Sequence, residues 1–532
     1  MLKNFEDDTI FVMGEIRIKR IVKLIICTMF IVLFFVPSFS IADEIKTASL
    51  KSFFTRFIKK KPVKNKNEQI DSVESNITTI KGGIVFSMED CVSYALKNDP
   101  NLKNYENIQQ AQKSAVSIAK SSYFPSIIGG TGYNINNIRY SGDLNNSVNA
   151  NNYSLNLGVN QLIWDFGRTT ARINMNKYNY EAAGYDLAFQ KVISIYNVRI
   201  AYTNVLATRA NEDIYERSVR INGLNYQRTK AMYDVGLKSK IDVVNADANL
   251  TQAKINLLIA QNTYQTALIN LNNSMYYVDA PDYAIKDTET FNFQKNYSVK
   301  NEIDVAYNRK NYNENDIESE MKDGAILTSG IEKRDILKTY KFKPFDLSMA
   351  DAIKTAYENR PDLKSLQLVQ KASEESLKVI KRSYYPAVNA NAGYSMASYS
   401  NYNANVLGVY AGVNLPNVNA MTIKYQIEQG SSYLDIARNN VDLLKKNIYF
   451  NVQNYYVNMK QLEKRIPLMS QKVEQSLENF ELADGRYAVG VGNYLELQQA
   501  QTDYNNAQLA FVKSVFDYNE AYFYLKRAMG IL

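Results

Sequence analysis

The chain has 532 residues but no histidine, only two cysteines and a single tryptophan. Without histidine, Ser-His and Cys-His nucleophile pairs and histidine-ligated metal centres are excluded. Two cysteines exclude a disulfide framework and a cysteine-rich zinc site. The acidic residues are scattered without a paired site, and there is no glycine-rich phosphate loop. We therefore predict a protein that is not an enzyme and that has no catalytic residue, cofactor or metal.

The residues that are abundant indicate a different class of protein. Tyrosine occurs 40 times and phenylalanine 22 times, and aromatic belts on membrane-spanning barrels are one physical use for such an excess. Lysine and arginine number 62 against 54 aspartates and glutamates. The surplus is concentrated around Lys59, Lys60 and Lys61 in a tail rather than on a folded face, so no nucleic-acid partner is expected.

The N-terminus has the pattern of an export signal. Basic residues precede an apolar run from Leu24 to Val36, and small residues follow at Ser40 and Ala42. The alternative is a retained membrane anchor, but the run is shorter than the ~20 apolar residues that cross a bilayer. We predict a removable signal over residues 1–42 and a basic tail over 43–83, whose contact with anionic lipid is left open.

The rest of the chain consists of two copies of one unit. The segment that begins at Ser87 matches the segment at Ser348 at an offset of 261, whereas Gly236 matches Gly490 at an offset of 254. The change of seven residues between these offsets falls before Gly158 and indicates a loop of variable length. The predicted domains are a first unit over 84–275, a charged linker over 276–345 and a second unit over 346–532.

Each unit is predicted to contain a helix, a β-hairpin, a long helix and a further helix. The first helix begins at the N-cap Ser87 and is interrupted at Pro100. From Arg168 to Asp234 there is no proline, which predicts a helix roughly 100 Å long. The second copy of this helix contains Pro467. A coiled-coil stalk is one interpretation, but the small and moderately apolar residues on several faces favour a helix packed between two neighbours in a tubular wall.

The predicted strands alternate between apolar and polar residues. From Tyr153 to Asn160, tyrosine, leucine and valine alternate with serine, asparagine and glycine. One interpretation is a soluble hairpin whose apolar face covers a core. Strands of ~10 residues that are apolar outside and polar inside also match a transmembrane barrel with a wet lumen. Because four strands cannot close a barrel and a lipid-exposed edge is forbidden, several chains would have to contribute to one barrel.

These residues resemble the TolC family of outer-membrane efflux and secretion channels. The resemblance covers about residues 84–275 and 345–530, in both of which a helix start, a Tyr-x-Pro, a strand and a glycine-containing tip follow in the same order. The motifs that carry it are Tyr123-x-Pro125 and Tyr384-x-Pro386, the strand end Gln161 to Gly167, and the tips Tyr233-x-x-Gly236 and Tyr487-x-x-Gly490.

The resemblance implies a mainly α-helical fold with membrane β-strands. Three identical chains would form a 12-stranded β-barrel in the outer membrane and a 12-helix α-barrel that extends into the periplasm. The implied partners are outer-membrane lipid, a periplasmic adaptor (membrane fusion) protein and an inner-membrane efflux pump or ABC exporter. Such proteins are passive ducts, and the linker would form an equatorial girdle around the helices. The alternative function is a trimeric structural or adhesive protein of the cell envelope without transport activity.

The resemblance also implies where the functional residues lie. A periplasmic gate would use Glu496 as a ring of three carboxylates, with Gln499 at the position of the family's second ring carboxylate. The alternative for Glu496 is a solvated carboxylate near a helix N-terminus. Asp242 would support the first tip. Trp164 is expected at the periplasmic rim of the membrane, with a buried core tryptophan as the alternative. Adaptor docking is implied at six tip residues: Val235, Gly236, Leu237, Val489, Gly490 and Val491.

Two further expectations concern the hairpins. Their loops should face outside the cell, and the loop over 139–152 should be longer than its counterpart over 397–404. The second unit lacks the Asp-x-Gly of Asp165 to Gly167 after its strand. The junction between strand and helix is therefore uncertain in that unit.

Overall fold

The computed structural model describes residues 79–80, 83–139, 147–278, 283–286, 344–399, 402–416 and 419–532. The expected export signal, almost all of the basic tail and most of the charged linker lie outside these residues.

The described residues form the same order of elements twice. The first half contains two short helices, a hairpin and two longer helices: α1 (Met88–Asn98), α2 (Pro100–Ser121), β3 (Ser126–Arg139), β4 (Ser147–Trp164), α3 (Arg168–Asp234) and α4 (Lys240–Met275). The second half contains their counterparts: α5 (Met349–Asn359), α6 (Pro361–Arg382), β6 (Ala387–Tyr399), β7 (Tyr402–Asn414), α7 (Ala420–Ala488) and α8 (Tyr494–Met529). Three short strands complete the described structure: β1 (Thr79–Ile80), β2 (Gly83–Phe86) and β5 (Tyr283–Ile285).

Side-chain caps determine where the short helices begin. Ser87 and Asp90 form the expected capping box at α1. The Asp99 side chain accepts the backbone N–H of Asn101, and Pro100 takes the first position of α2. Proline has no N–H and is preorganised for the first helical turn, so it ends α1 and starts α2 at once. The predicted interruption at Pro100 is thus confirmed.

The two long helices contain 67 and 69 residues, and at 1.5 Å per residue each extends about 100 Å. Helix α7 continues through Pro467. Helix α3 packs against α4 and α8, and α8 packs against α7, while α2 and α6 pack against the sheet-proximal part of α3. The long helices therefore form one layer in the order α4, α3, α8, α7. No helix among the described residues is both long and apolar enough to cross a membrane.

The main core lies in the middle of this layer. It is formed by fully buried side chains from all four long helices, among them Tyr202, Leu271, Ile448 and Phe511. Tyrosines of the long helices also bind the segments that precede α1 and α5. Tyr202 donates its hydroxyl to the carbonyls of Phe86 and Lys286, and its counterpart Tyr456 donates to the carbonyl of Leu347 at 3.1 Å.

The two hairpins join into one antiparallel sheet of order β3, β4, β6, β7. The central pair brings Gly158 opposite Gly393. The register places most of the asparagine, serine and glycine residues on one face, together with Ile128, Val406 and Tyr410, and most of the valine, leucine, isoleucine and tyrosine residues on the other. The side chains of Ile127 and Val409 on the apolar face are exposed in the single chain. The expected alternation is confirmed, and the face that it makes apolar does not cover a core of this chain.

The hairpins differ in length as expected. Residues 140–146, outside the described structure, connect β3 to β4, whereas residues 400 and 401 connect β6 to β7. The ladder between β3 and β4 is also one residue pair longer than the ladder between β6 and β7. The first loop is shorter than the expected 139–152, because β4 already begins at Ser147. The pairing in β4 takes up residues that alternation alone left in the loop.

Candidate functional site

The two tips are turns of the same construction at the ends of α3 and α7. Gly236 and Gly490 have φ of 78° and 79°. At the first tip the N–H groups of Gly236 and Leu237 bond to the carbonyls of Tyr233 and Met232, both at 2.8 Å. These two bonds are the Schellman motif, whose glycine position requires positive φ. The second tip repeats the pattern: the N–H groups of Gly490 and Val491 bond to the carbonyls of Tyr487 and Arg486 at 3.1 and 3.0 Å.

Both tips present apolar side chains to solvent. Val235, Leu237, Val489 and Val491 are each between 71 and 75% exposed. A side chain on either tip glycine would meet no other atom within 4 Å. The glycines are therefore required by backbone conformation rather than by crowding, and the exposed valines and leucine are available for a contact outside this chain.

Asp242 caps the helix that follows the first tip. Its carboxylate accepts bonds from the backbone N–H of Ser239 at 3.2 Å and from the Ser239 hydroxyl at 2.8 Å. The Ser239 hydroxyl in turn accepts the N–H of Asp242. This capping box fixes the start of α4 directly after the turn.

A lysine joins the two tips. Lys238 Nζ donates to the carbonyl of Gly492 at 3.2 Å and lies 4.4 Å from the ring centroid of Tyr487. The Tyr487 ring is fully buried, and its hydroxyl bonds to Thr229 at 2.7 Å. Burial raises the pKa of Tyr487. Sequence reasoning missed this contact, although Lys238 and Gly492 are counterparts at the offset of 254.

Further polar bonds connect the halves along the same end of the layer. Arg228 pairs with Asp484 at 2.6 Å, and Asn225 donates to Gln501 at 3.1 Å, with both side chains buried. Hydrogen-bonded buried polar pairs fix the register of neighbouring helices. The tip end of the chain is thus held by specific polar contacts in addition to a small apolar cluster that includes Phe480 and Leu497.

Glu496 and Gln499 lie in the first turns of α8. Glu496 Oε1 forms an ion pair with Arg486 Nη1 at 3.1 Å, with side-chain exposures of 39 and 58%. Gln499 is exposed and donates to Asp503 Oδ1 at 3.1 Å. The expected gate residues are therefore close together on one exposed stretch of α8. Arg486, which sequence reasoning did not single out, brings a positive charge to the candidate carboxylate.

Trp164 ends strand β4 at the junction with α3. The register slips between Leu162 and Trp164, so that Trp164 pairs with Val388 across a bulge. Strict alternation would place Trp164 on the polar face, and the bulge places it on the apolar face instead. The indole is 58% exposed, so the alternative of a buried core tryptophan is wrong for this chain.

The junction after Trp164 is built around Asp165. Its carboxylate accepts the N–H of Gly167 at 3.2 Å and of Thr169 at 2.7 Å. In the second half Asn419, the counterpart of Asp165, accepts the N–H groups of Met421 and Thr422. An asparagine side chain thus replaces the missing Asp-x-Gly as a helix cap. The junction that the sequence left uncertain is present.

The described strand segments 126–135, 153–164, 387–398 and 404–414 carry no charged side chain. One face of the sheet is neutral and mainly polar, the other is mainly apolar, and the layer of long helices continues from the sheet to two apolar tips. An extended uncharged face of this kind is suited to lining a path for solutes.

Comparison with known proteins identifies the family. The sequence profile of the outer membrane efflux proteins matches residues 91–275 and 352–531, which include most of both halves. The chain belongs to the outer membrane efflux protein family. It is 26% identical over 192 residues to the outer membrane protein TolC of Vibrio cholerae, an alignment that covers 36% of this chain and 43% of that relative. The chain thus aligns with less than half the length of this curated relative.

Solved structures share the fold over a larger extent. CusC superimposes with a TM-score of 0.66 at 14% identity, covering 83% of this chain and 92% of that one. The CmeC outer membrane channel of Campylobacter jejuni superimposes with a TM-score of 0.62 at 16% identity, covering 83% and 85%. The long helices and the four-stranded sheet are therefore the fold of outer-membrane channels.

Proposed function

We propose that this protein is the outer-membrane exit duct of a tripartite efflux or type I secretion system. The observation that carries the proposal is that both edge strands of the four-stranded sheet lack a partner on their outer side. Among the described strands, β3 and β7 each pair on one side only. A lipid-exposed sheet edge leaves backbone groups unsatisfied. Three copies that pair β7 of one chain with β3 of the next would close a 12-stranded barrel without an edge.

The helix layer has matching edges. Helix α7 exposes apolar side chains spaced by seven residues, a spacing typical of a helix seam: Ile436, Leu443, Phe450 and Val457. Helix α4, at the opposite edge, also exposes apolar side chains: Ile255, Leu258, Ile259 and Ile269. Second copies of this chain would cover both edges, and the four long helices of each of three chains would form a 12-helix tube that extends into the periplasm.

In this assembly the apolar face of the sheet contacts outer-membrane lipid and the neutral polar face lines the lumen. Trp164 lies at the periplasmic rim, and the hairpin loops face outside the cell. The removable signal over 1–42 directs export. The tail over 43–83 precedes the first unit over 84–275. The linker over 276–345 separates this unit from the second unit over 346–532. The duct is passive, with no catalytic residue, cofactor or metal of its own.

The exposed tips dock a periplasmic adaptor protein, which connects the duct to an inner-membrane efflux pump or ABC exporter. Apolar side chains on rigid turns are suited to binding a partner. Just past the second tip, Glu496 and Gln499 line the periplasmic gate, where three chains place three Glu496–Arg486 pairs around one axis. The alternative, a structural or adhesive envelope protein without transport, does not require such tips.

Substitution at Gly236 tests docking. Leucine there adds bulk to the docking surface and forces a branched side chain into positive φ, a strain of about 1–2 kcal/mol. Asparagine tolerates this conformation and is the matched control. We expect Gly236→Leu to abolish export of a pump substrate while the trimer persists in detergent, and Gly236→Asn to retain export. Normal export by Gly236→Leu and by the equivalent Gly490→Leu would refute docking at the tips.

A further inference from the structure

Three aromatic rings cluster on the outside of the junction between the sheet and the helices. Phe166 lies edge-on to Trp164 with ring centroids 6.1 Å apart, and it stacks on Tyr385 at 5.4 Å. Trp164 and Tyr385 are 58 and 53% exposed. Trp164 and Phe166 come from the first half of the chain and Tyr385 from the second. The cluster therefore covers the seam between the halves at the end of the strands.

The backbone is strained in order to present this cluster. Phe166 and Gly167 have consecutive positive φ values of 55° and 83°. A phenylalanine rarely adopts this conformation, and such strain persists only where the surroundings impose it. Here Asp165 imposes it through its bonds to the N–H groups of Gly167 and Thr169. The result is a ring that lies outward against Tyr385 rather than in the core.

A cation lies against Gly167, the residue that follows Phe166. Arg382 Nη1 donates to the carbonyl of Gly167 at 2.8 Å, and a Cβ on Gly167 would lie 2.9 Å from the same nitrogen. Among the described residues no carboxylate pairs with Arg382, because Asp165 is occupied by backbone N–H groups and lies 4.0 Å from Arg168. Lys381, the preceding residue, is exposed. Neither Arg382 nor Lys381 therefore has an acidic partner among the described residues.

We propose that Trp164, Phe166, Tyr385, Arg382 and Lys381 bind an anionic phospholipid in the leaflet that faces the periplasm. The rings contact the acyl and glycerol region, and the guanidinium and ammonium groups bind the headgroup phosphate. This site rests on the proposed placement of the sheet in the outer membrane. Free phosphate would use the cations alone, whereas a lipid uses both the cations and the exposed rings, which is why a lipid is the occupant.

The second junction of the chain lacks the same site. At the repeat offsets, Ser121 replaces Arg382 and Met421 replaces Gly167. The cap formed by Asn419 shows no positive-φ pair among the described residues there. The lipid site is therefore expected once per chain, at the seam between its own two halves.

The single tryptophan of the chain makes the site measurable. Trp164 is the only indole, so all tryptophan fluorescence reports on the cluster. The purified protein would be reconstituted into phosphatidylcholine vesicles that contain a fixed fraction of brominated phosphatidylglycerol or, in parallel, of brominated phosphatidylcholine. One basic group near an anionic membrane contributes an enrichment of about fivefold. We expect Trp164 quenching to indicate such an enrichment of phosphatidylglycerol.

Variants separate the site from the membrane placement. In Arg382→Gln and in Lys381→Gln we expect the preference for brominated phosphatidylglycerol to fall, whereas quenching by brominated phosphatidylcholine stays. Arg382→Lys should retain most of the preference, and Lys513→Gln, the same charge change at an exposed position of α8, should retain all of it. The side chain of Lys381 forms no hydrogen bond or ion pair with the described residues, so Lys381→Gln should fold. It therefore tests the lipid preference even if Arg382→Gln fails to fold.

The outcomes lead to different conclusions. Equal quenching of the native protein by both brominated lipids would overturn the anionic site and leave the membrane placement intact. Quenching by neither would overturn the site together with the placement of the sheet in the membrane. A phosphatidylglycerol preference unchanged in both Arg382→Gln and Lys381→Gln would also overturn the site, because the selecting charge would then lie elsewhere.

Discussion

The ion pair between Arg486 and Glu496 predicts that these two charges nearly cancel at the proposed gate and that a single substitution leaves one of them unbalanced. The pair is 3.1 Å long and both side chains are partly exposed. Exposed pairs of this kind contribute about 0.2–1 kcal/mol to stability. Replacing either residue with glutamine should therefore leave the fold intact. In the proposed trimer, Arg486→Gln leaves three unpaired carboxylates around the axis, and Glu496→Gln leaves three guanidinium groups.

The size of the effect follows from Coulomb's law. For carboxylates about 8 Å from the axis, each contributes ~0.5 kcal/mol to a monovalent cation in water, and three contribute ~1.5 kcal/mol. At physiological salt the Debye length is also about 8 Å, which reduces the sum to ~0.6 kcal/mol. Arg486→Gln should then favour cation entry roughly threefold at physiological salt and about tenfold at low salt, and disfavour anion entry by the same factors. The cation-to-anion permeability ratio should therefore rise about eightfold at physiological salt and by roughly a hundredfold at low salt. Glu496→Gln should lower the ratio by similar factors.

Reversal potentials of single channels in a planar bilayer under a salt gradient measure this ratio. Arg486→Gln should also increase block by multivalent cations from the periplasmic side, and Glu496→Gln should decrease it. The double variant removes both charges and should return close to the native ratio. If the two single variants shift the ratio in the same direction, or if neither shifts it, the pair does not line the conducting path and the gate lies elsewhere.

Two further predictions follow from the structure. A cysteine at Asn146, in the first hairpin connection, should be labelled by an impermeant maleimide on intact cells, and labelling only after permeabilisation of the outer membrane would reject the proposed topology. Burial, with the charges of Asp90 and Glu89, raises the pKa of the Cys91 thiol from 9.0 to about 12, so the native fold favours the protonated thiol. The Cys91 thiol should not change the free energy of unfolding below pH 9, and this free energy should fall as the pH rises above 9. Cys91 should react with iodoacetamide at pH 8 only in denaturant. Rapid labelling of the native protein would contradict the burial of Cys91.

Local patterns in the sequence predict much of this fold. Serine, aspartate and proline at fixed spacing define the helix starts at Ser87 and Pro100, and a period of two defines the strands. The glycines at Gly236 and Gly490 define the tips. Each of these signals lies within a few residues along the chain, and the repeat supplies it twice.

The bulge before Trp164 could not be predicted, because it depends on which residue of β6 lies opposite. The partners of Glu496 and Gly167 could not be predicted for a similar reason. Arg486 lies across a turn, and Arg382 lies 215 residues from its partner, so no periodicity connects them. Sequence reasoning identified the positions of the candidate sites, and three-dimensional packing supplies the charges around them.

The two halves of the chain differ where they contact each other at the tips. Three of the bonds between the halves illustrate this: Arg228 to Asp484, Thr229 to Tyr487, and Lys238 to Gly492. At the repeat offset, the first-half donors or acceptors correspond to residues that cannot form these bonds: Leu482, Ala483 and Gly492. Seams between chains in the proposed trimer would pair the second half of one chain with the first half of the next, and would lack all three bonds.

The seams between chains should therefore separate before the seam within a chain. A duct built from six similar helical hairpins, two from each chain, would then open as three units, because each chain keeps its own two tips together. A short bismaleimide cross-link between cysteines at Arg228 and Asp484, whose native side chains bridge the two backbones with a contact of 2.6 Å, should form within one chain and leave channel opening unchanged. A disulfide between the α7 and α4 edges of neighbouring chains near the tips should instead hold the channel closed. If the cross-link within the chain were the one that blocked conductance, the three bonds would break on opening, and the units that move would be the single hairpins.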